Sequence, residues 1–134
     1  MKQHKDILIK NAFEKAVEAL VSAKLNIEND LYTAAQNRIY YAIFYSILAL
    51  GYNEDYITSK HSQLLGWFNK KFIHENKTFD ENMFRIYKEA YENRTKSDYQ
   101  FNWKPNKEDL LKDLKDSEIF VATVKNFIFQ MRDL

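Results

Sequence analysis

The sequence predicts an all-α fold, an antiparallel up-and-down bundle of four long helices and one short one. Three observations carry this. Apolar residues recur at spacings of three and four along most of the chain, the signature of amphipathic helices. Only two glycines and one proline interrupt 134 residues, too few for the many turns of a sandwich or barrel. The most apolar run, "IYYAIFYSILAL" from Ile39 to Leu50, is twelve residues long. A bilayer needs roughly 20, so this run reads as a buried helix. One domain over residues 1–134 is expected. A chain of this size buries roughly two-thirds of its unfolded surface without staples.

The first helix is expected from about Asp6 to Ile27, where Ile9, Phe13, Ala16, Leu20, Ala23 and Ile27 form one face. Asp30 then has the chemistry to cap a second helix ending at Leu50, with Gly51 as its left-handed terminator. Ser59 is the expected cap of a short third helix holding Leu64, Leu65, Trp67, Phe68 and Phe72. Thr78 and Glu81 have capping-box spacing before the fourth helix, with Asp80 as a competing cap. That helix presents Met83, Ile86, Tyr87, Ala90 and Tyr91. Pro105 blocks continuation and Asn106 caps the fifth helix, where Leu110, Leu114, Ser117, Val121, Val124, Ile128 and Met131 keep heptad spacing.

Composition narrows the function. No cysteine is present, which excludes disulfides and thiolate metal sites and suits a reducing cytoplasm. "MKQHKDILIKN" lacks the features of a signal peptide, and no membrane partner is expected. No histidine pair, Ca²⁺ loop or Gly-rich phosphate loop occurs, so neither metal nor cofactor is expected. The net charge is only +1, yet residues 60–107 carry ten Lys/Arg against six Asp/Glu. Aromatic content is 16%, rich for the core of one small bundle and suited to a dimer interface.

Two arginines break the bundle's own pattern. Arg38 falls amid Leu31, Ala34, Tyr41 and Tyr45 on the second helix, and Arg94 follows Met83, Tyr87 and Tyr91 on the fourth. Arginine can snorkel, but a buried guanidinium needs a partner. Asp98, one turn beyond Arg94, can supply it. Two readings stand side by side. Arg38 and Arg94 hold helices together by ion pairing or tyrosine stacking, or they form an anion site whose planar donors suit phosphate beside ring faces such as Tyr41. His61 lies beside Lys60 in the first turn of the third helix, where a histidine is usually polar surface.

"AAQNRIYYAIFYS", "KHSQLLGWFNKKFI" and "RTKSDY", in this order, resemble the HEPN domain, with a likeness running from about Phe13 to Met131. The resemblance implies a helical bundle, commonly dimeric. Many such proteins are metal-independent ribonucleases or toxins encoded beside a minimal nucleotidyltransferase that serves as antitoxin. Their motif is an arginine followed after four to six residues by histidine, the arginine supporting phosphate and the histidine transferring protons. Arg94 matches the arginine. Tyr99 stands where the histidine would be, and five- and six-residue gaps reach Gln100 and Phe101. Tyrosine, with a reference pKa of about 10, is a poor base at neutral pH.

Three functions follow as expectations. The first is a module binding RNA or nucleotide phosphate through Arg94, helped by Arg38, Tyr41, Lys60 and Asp98. The second is a metal-independent endoribonuclease toxin using Arg94 with His61 or Tyr99. The third is a bundle whose arginines are purely structural.

Overall fold

A computed structural model describes residues 2–134. Its helices are α1 (Lys2–Glu28), α2 (Tyr32–Asn53), α3 (His61–Phe68), α4 (Glu81–Tyr99) and α5 (Lys107–Arg132). The four long helices and one short one are those expected. α3 does not end at Phe68 but widens into a π-helical segment, Asn69–Glu75, in which Asn76 N–H reaches back to Lys71 O at 2.9 Å. Adjacent Phe72 and Ile73 are both buried there.

α2 is the hub. It touches each of the other helices, as a run apolar on all sides requires. One core gathers Phe13 of α1, Ile47 of α2, Phe68 of α3, Tyr87 of α4 and Phe120 of α5. A smaller cluster at the other end joins Ala23 and Ile27 to Ala35, Ile39, Leu110 and Leu114. Arg132 ties the far ends together, donating to Asp6 at 2.7 Å and to Asn53 at 3.0 Å. Most of the aromatic excess is consumed inside this single chain, in ring contacts such as Phe68–Phe79 and Tyr87–Phe120. Tyr99 and Phe101 are the aromatics left prominently exposed.

Local chemistry corrects several expected boundaries. Asp30 does not cap α2. It lies in the turn with φ 58°, its carboxylate accepts from the Tyr32 hydroxyl at 3.0 Å, and Leu31 precedes the helix with no side-chain cap. Gly51 is not a left-handed terminator, because α2 runs through it to Asn53. Its lack of a side chain serves close approach: a Cβ would lie 2.5 Å from Tyr56 O, whose own N–H bonds Gly51 O at 2.8 Å. Lys60, not Ser59, precedes α3, and it carries no side-chain cap. Asp80 wins over Thr78 before α4, accepting from Met83 N–H at 3.0 Å. Asn106 caps α5 as expected, accepting from Asp109 N–H at 2.8 Å. Met131 is exposed, since the last turn of α5 runs past the core.

α2, α4 and α5 leave a narrow cleft between them, lined in part by Gln36, Glu89, Asn93, Asp113 and Asp116. The Gln36 amide nitrogen is buried there without a hydrogen-bond partner. Burial, followed by the charges of Asp109, Asp116 and Glu89, pushes the Asp113 carboxyl up to about 6 from an ordinary 3.8. The folded chain therefore binds this proton more tightly than the unfolded chain. Stability from this group is full below the unfolded value and falls as pH rises across that window. Asp113→Asn is expected to stabilise the protein by about 1 kcal/mol at pH 7, after discounting for the group's partial exposure. The gain should vanish near pH 4, as read by urea unfolding at both pH values.

Candidate phosphate-binding site

Three helices converge on one patch. α2 supplies Arg38, Tyr40, Tyr41 and Phe44, α3 opens with His61, and the last turns of α4 bring Tyr91, Arg94 and Asp98. The short α3 places its first residue against α2, and Tyr40 fixes it there: its hydroxyl lies 2.6 Å from His61 Nδ1. The imidazole also stacks on Phe44, with centroids 4.1 Å apart and planes 8° from parallel.

Arg94 sits on aromatic faces. Its guanidinium carbon is 5.3 Å from the Tyr40 centroid and 5.4 Å from that of Tyr41. Arg38 approaches the Tyr41 ring at 5.0 Å, so one tyrosine serves two cations. Arg38 also donates two hydrogen bonds to Asn37 Oδ1, at 3.1 and 2.8 Å. Arg94 has no such anchorage. Its Nε lies 3.4 Å from Asp98 Oδ2, an ion pair without hydrogen-bond geometry, and this buried N–H has no acceptor. Arg132 shows what a structural arginine looks like in the same molecule, with Nε bonded to Asp6 at 2.7 Å and a second nitrogen to Asn53 at 3.0 Å.

The electrostatics set the protonation of the patch. Burial holds the Tyr40 hydroxyl far above the usual phenol range, so it keeps its proton. The His61 imidazole is held below its usual range, by burial first and then by the Arg94 charge, so it is neutral at pH 7. Tyr40 is fully buried, and its hydroxyl makes no other hydrogen bond among the described residues. The phenol must therefore donate to Nδ1, which leaves the imidazole proton on Nε2. His61 presents an N–H donor on its free edge.

The structure thus gathers Arg38, Tyr41, His61, Arg94 and Asp98 into one group. Lys60 is exposed next to His61, and Tyr99 is 82% exposed at the end of α4, joined to none of these by a hydrogen bond or ion pair. His61 is not the exposed helix-start histidine that its local sequence suggests. It is half-buried because α2 supplies a ring to stack on and a hydroxyl to accept from. Tyr40 and Phe44 escaped sequence reasoning. Adjacent tyrosines on a helix point about 100° apart, and sequence alone does not say which one meets α3.

A guanidinium over ring faces, a neutral imidazole and a ring-lined rim thus share one patch of an all-α bundle. Residues 9–127 match the HEPN domain family. The chain belongs to that family. A UPF0332 protein of Thermotoga maritima is 30% identical over 96% of each chain. A protein of Methanocaldococcus jannaschii named "Putative toxin" is 36% identical over 87% of this chain and 86% of its own. A UPF0332 protein of Archaeoglobus fulgidus is 32% identical over 88% of this chain and 93% of its own. Among the described residues no helix is long and apolar enough to cross a membrane, and no group of acidic or histidine side chains is arranged to hold a metal ion.

The coupling of Arg94 to His61 is measurable. Arg94→Gln removes the charge that disfavours imidazolium, so the His61 titration followed by NMR should move up in pH. Tyr40→Phe should abolish the fixed tautomer, seen as a change in the ¹⁵N shifts of both ring nitrogens.

Proposed function

We propose that the protein binds RNA or nucleotide phosphate through Arg94, as the recognition element of a toxin-type HEPN module. The observation that carries this reading is the state of Arg94. Its guanidinium is held in place by two tyrosine faces, yet its Nε has no acceptor and its carboxylate neighbour is poorly aligned. A planar fork of donors left under-used suits the oxygens of a phosphate. The His61 Nε2–H and Arg38 add donors on the same patch, and Tyr41 offers a face for a base. Asp98, 3.4 Å from Nε, balances the guanidinium charge without taking up its donors, and Lys60 adds positive charge beside His61. The relative named a toxin, and the genomic pattern that the family likeness implies, suggest the setting. In it the module stops growth until a minimal nucleotidyltransferase antitoxin, or a related partner, opposes it, with two copies of the chain engaging one RNA.

A second reading is favoured by one observation, the hydrogen bond that orients His61 next to Arg94. On that reading the chain is a metal-independent endoribonuclease. The neutral imidazole with its proton on Nε2 is better placed to donate to a phosphate oxygen or a leaving group than to take a proton there. Tyr99, exposed and outside the hydrogen-bonded group, would enter the chemistry only through RNA or another copy of the chain. The expected activity of the isolated protein is therefore weak.

The test is fluorescence anisotropy with short single-stranded RNA, together with growth on induced expression. Arg94→Ala is expected to lose binding and growth arrest while keeping the helical signal and melting within a few degrees of the parent. Arg94→Lys should also be impaired, because an ammonium cannot reproduce the fork. Full-strength binding and toxicity in Arg94→Ala would overturn the assignment. Cleavage of mixed RNA in chelator, lost in His61→Ala but kept in Tyr99→Phe, would put the ribonuclease reading first.

A further inference from the structure

The cleft between α2, α4 and α5 holds charge that the phosphate site does not use. Asp113 and Asp116 line it from α5, Glu89 from α4 and Gln36 from α2, with Ile39, Ile43 and Ile86 as an apolar wall. Acidic residues on a helix are ordinarily solvated and need no ligand. Here both aspartates are half-buried, and neither forms an ion pair or hydrogen bond with any described residue. Glu89 is exposed and already engages Arg85 at 2.9 Å. Two half-buried carboxylates on one face of a helix repel each other, and a cation between them relieves that repulsion.

Gln36 is an independent sign of a missing ligand. It is 1% exposed, its Nε2 is buried without a partner, and its Oε1 has none among the described residues. A buried amide left unpaired at both ends is costly. A half-turn of the amide exchanges its donor and acceptor ends. The same side chain can therefore turn a carbonyl oxygen toward a cation. We propose that this cleft binds a primary alkylammonium group, its methylenes along the isoleucines and its head among Gln36, Asp113 and Asp116.

Three features choose this chemistry. An ammonium is close to a water molecule in size, and the inner space of the cleft admits one group of that size, whereas a planar guanidinium is wider. Its three N–H donors match carboxylates and an amide oxygen, which only accept. No acidic or histidine group among the described residues is arranged to hold a metal ion, and the isoleucines offer a hydrated ion nothing. A free amine carries no backbone to clash at so narrow a cleft, and a diamine brings a second charge for Glu89. The site does not depend on what Arg94 binds. It has a pH dependence of its own. Burial, then Asp109, Asp116 and Glu89, hold the Asp113 carboxyl up at about 6, with Lys112 acting the other way. A bound cation favours the ionised form, so binding is tighter above that pH than below it.

The test is ¹H–¹⁵N NMR of the full chain titrated with putrescine dihydrochloride, n-butylamine hydrochloride and Nα-acetyl-lysine amide, against sodium chloride at matched ionic strength. Putrescine and butylammonium should move the Gln36 side-chain amide signals saturably in the millimolar range, and sodium chloride should not. Putrescine should bind more tightly than the lysine probe. Asp113→Asn removes a charge from the cleft without loosening the fold, so a loss there is not a loss of structure. It should weaken putrescine binding about tenfold at pH 7.5 and remove the fall in affinity between pH 7.5 and pH 5. Asp116→Asn should weaken binding as well. Shifts no different from those in sodium chloride, parental affinity in both aspartate variants, or tighter binding at pH 5 would each overturn the site. Tighter binding of the lysine probe than of putrescine would overturn its assignment to a free amine.

Discussion

α2 is enclosed by four other helices, and that enclosure governs what the rest of the molecule can do. A helix buried over most of its surface is under pressure to satisfy the polar groups on its buried sides, because an unpaired buried polar atom costs roughly 1–3 kcal/mol. Ser46 answers locally, donating to Ile43 O at 2.7 Å. Tyr40 cannot, since its hydroxyl projects beyond its own helix. It reaches His61 on α3, and this bond sets where α3 begins and which way its imidazole faces. Placing the His61 ring over Phe44 then follows from the same approach. The patch that holds Arg94 is thus a consequence of satisfying one buried phenol.

That origin explains an asymmetry between the two arginines. Arg38 and Arg94 share the Tyr41 face, but Arg38 also spends its donors on Asn37, its neighbour in sequence. Arg94 comes from α4, where the nearest carboxylate is one turn away and badly angled. Cation–π attraction positions a guanidinium without consuming its N–H donors. It is the one means of holding an arginine that leaves its hydrogen-bonding capacity for something else. Burial beside a cation then keeps His61 neutral, so the patch offers fixed positive charge and a neutral donor side by side.

The sequence revealed most where a decision is local. The helices, the cap at Asn106 and the core face of α5 short of Met131 depend on residues within one or two turns, and all three were legible, whereas before α4 the sequence offered Asp80 only as a competitor to Thr78. The misreadings fall where distant residues decide. Gly51 resembles a terminator until Tyr56 O is seen to occupy the space its Cβ would need. Asp30 resembles a cap, but its carboxylate is taken by Tyr32 and its backbone is left-handed. His61 resembles surface until Tyr40 and Phe44 arrive from a helix 17–21 residues earlier in the chain. The π-helical widening after Phe68 left no sequence signal at all. Of the site, Arg94, Asp98, Arg38 and Tyr41 could be named because a charge on an apolar stripe is conspicuous. Tyr40 could not, because a tyrosine in an aromatic run is the least conspicuous residue there.

Arg132 and Arg94 show two ways of holding the same side chain in one molecule. Both lie at helix ends and both have a carboxylate within reach. Arg132 joins α5 to α1 and α2 through well-formed bonds to Asp6 and Asn53. An arginine that existed only to hold helices would be selected toward that arrangement, since each good charge-assisted bond adds more than a long one. Arg94 instead keeps a buried Nε–H without an acceptor, a cost of the same order as a lost hydrogen bond. Nothing in the packing of α4 compels this. The neighbouring positions could place an asparagine or glutamate against Nε, as Asn82 is placed against Arg85 at 3.0 Å on the same helix. On the function proposed above, that cost at one arginine, beside an oriented imidazole and an open ring face, is what leaves an N–H for a group that arrives from outside the chain.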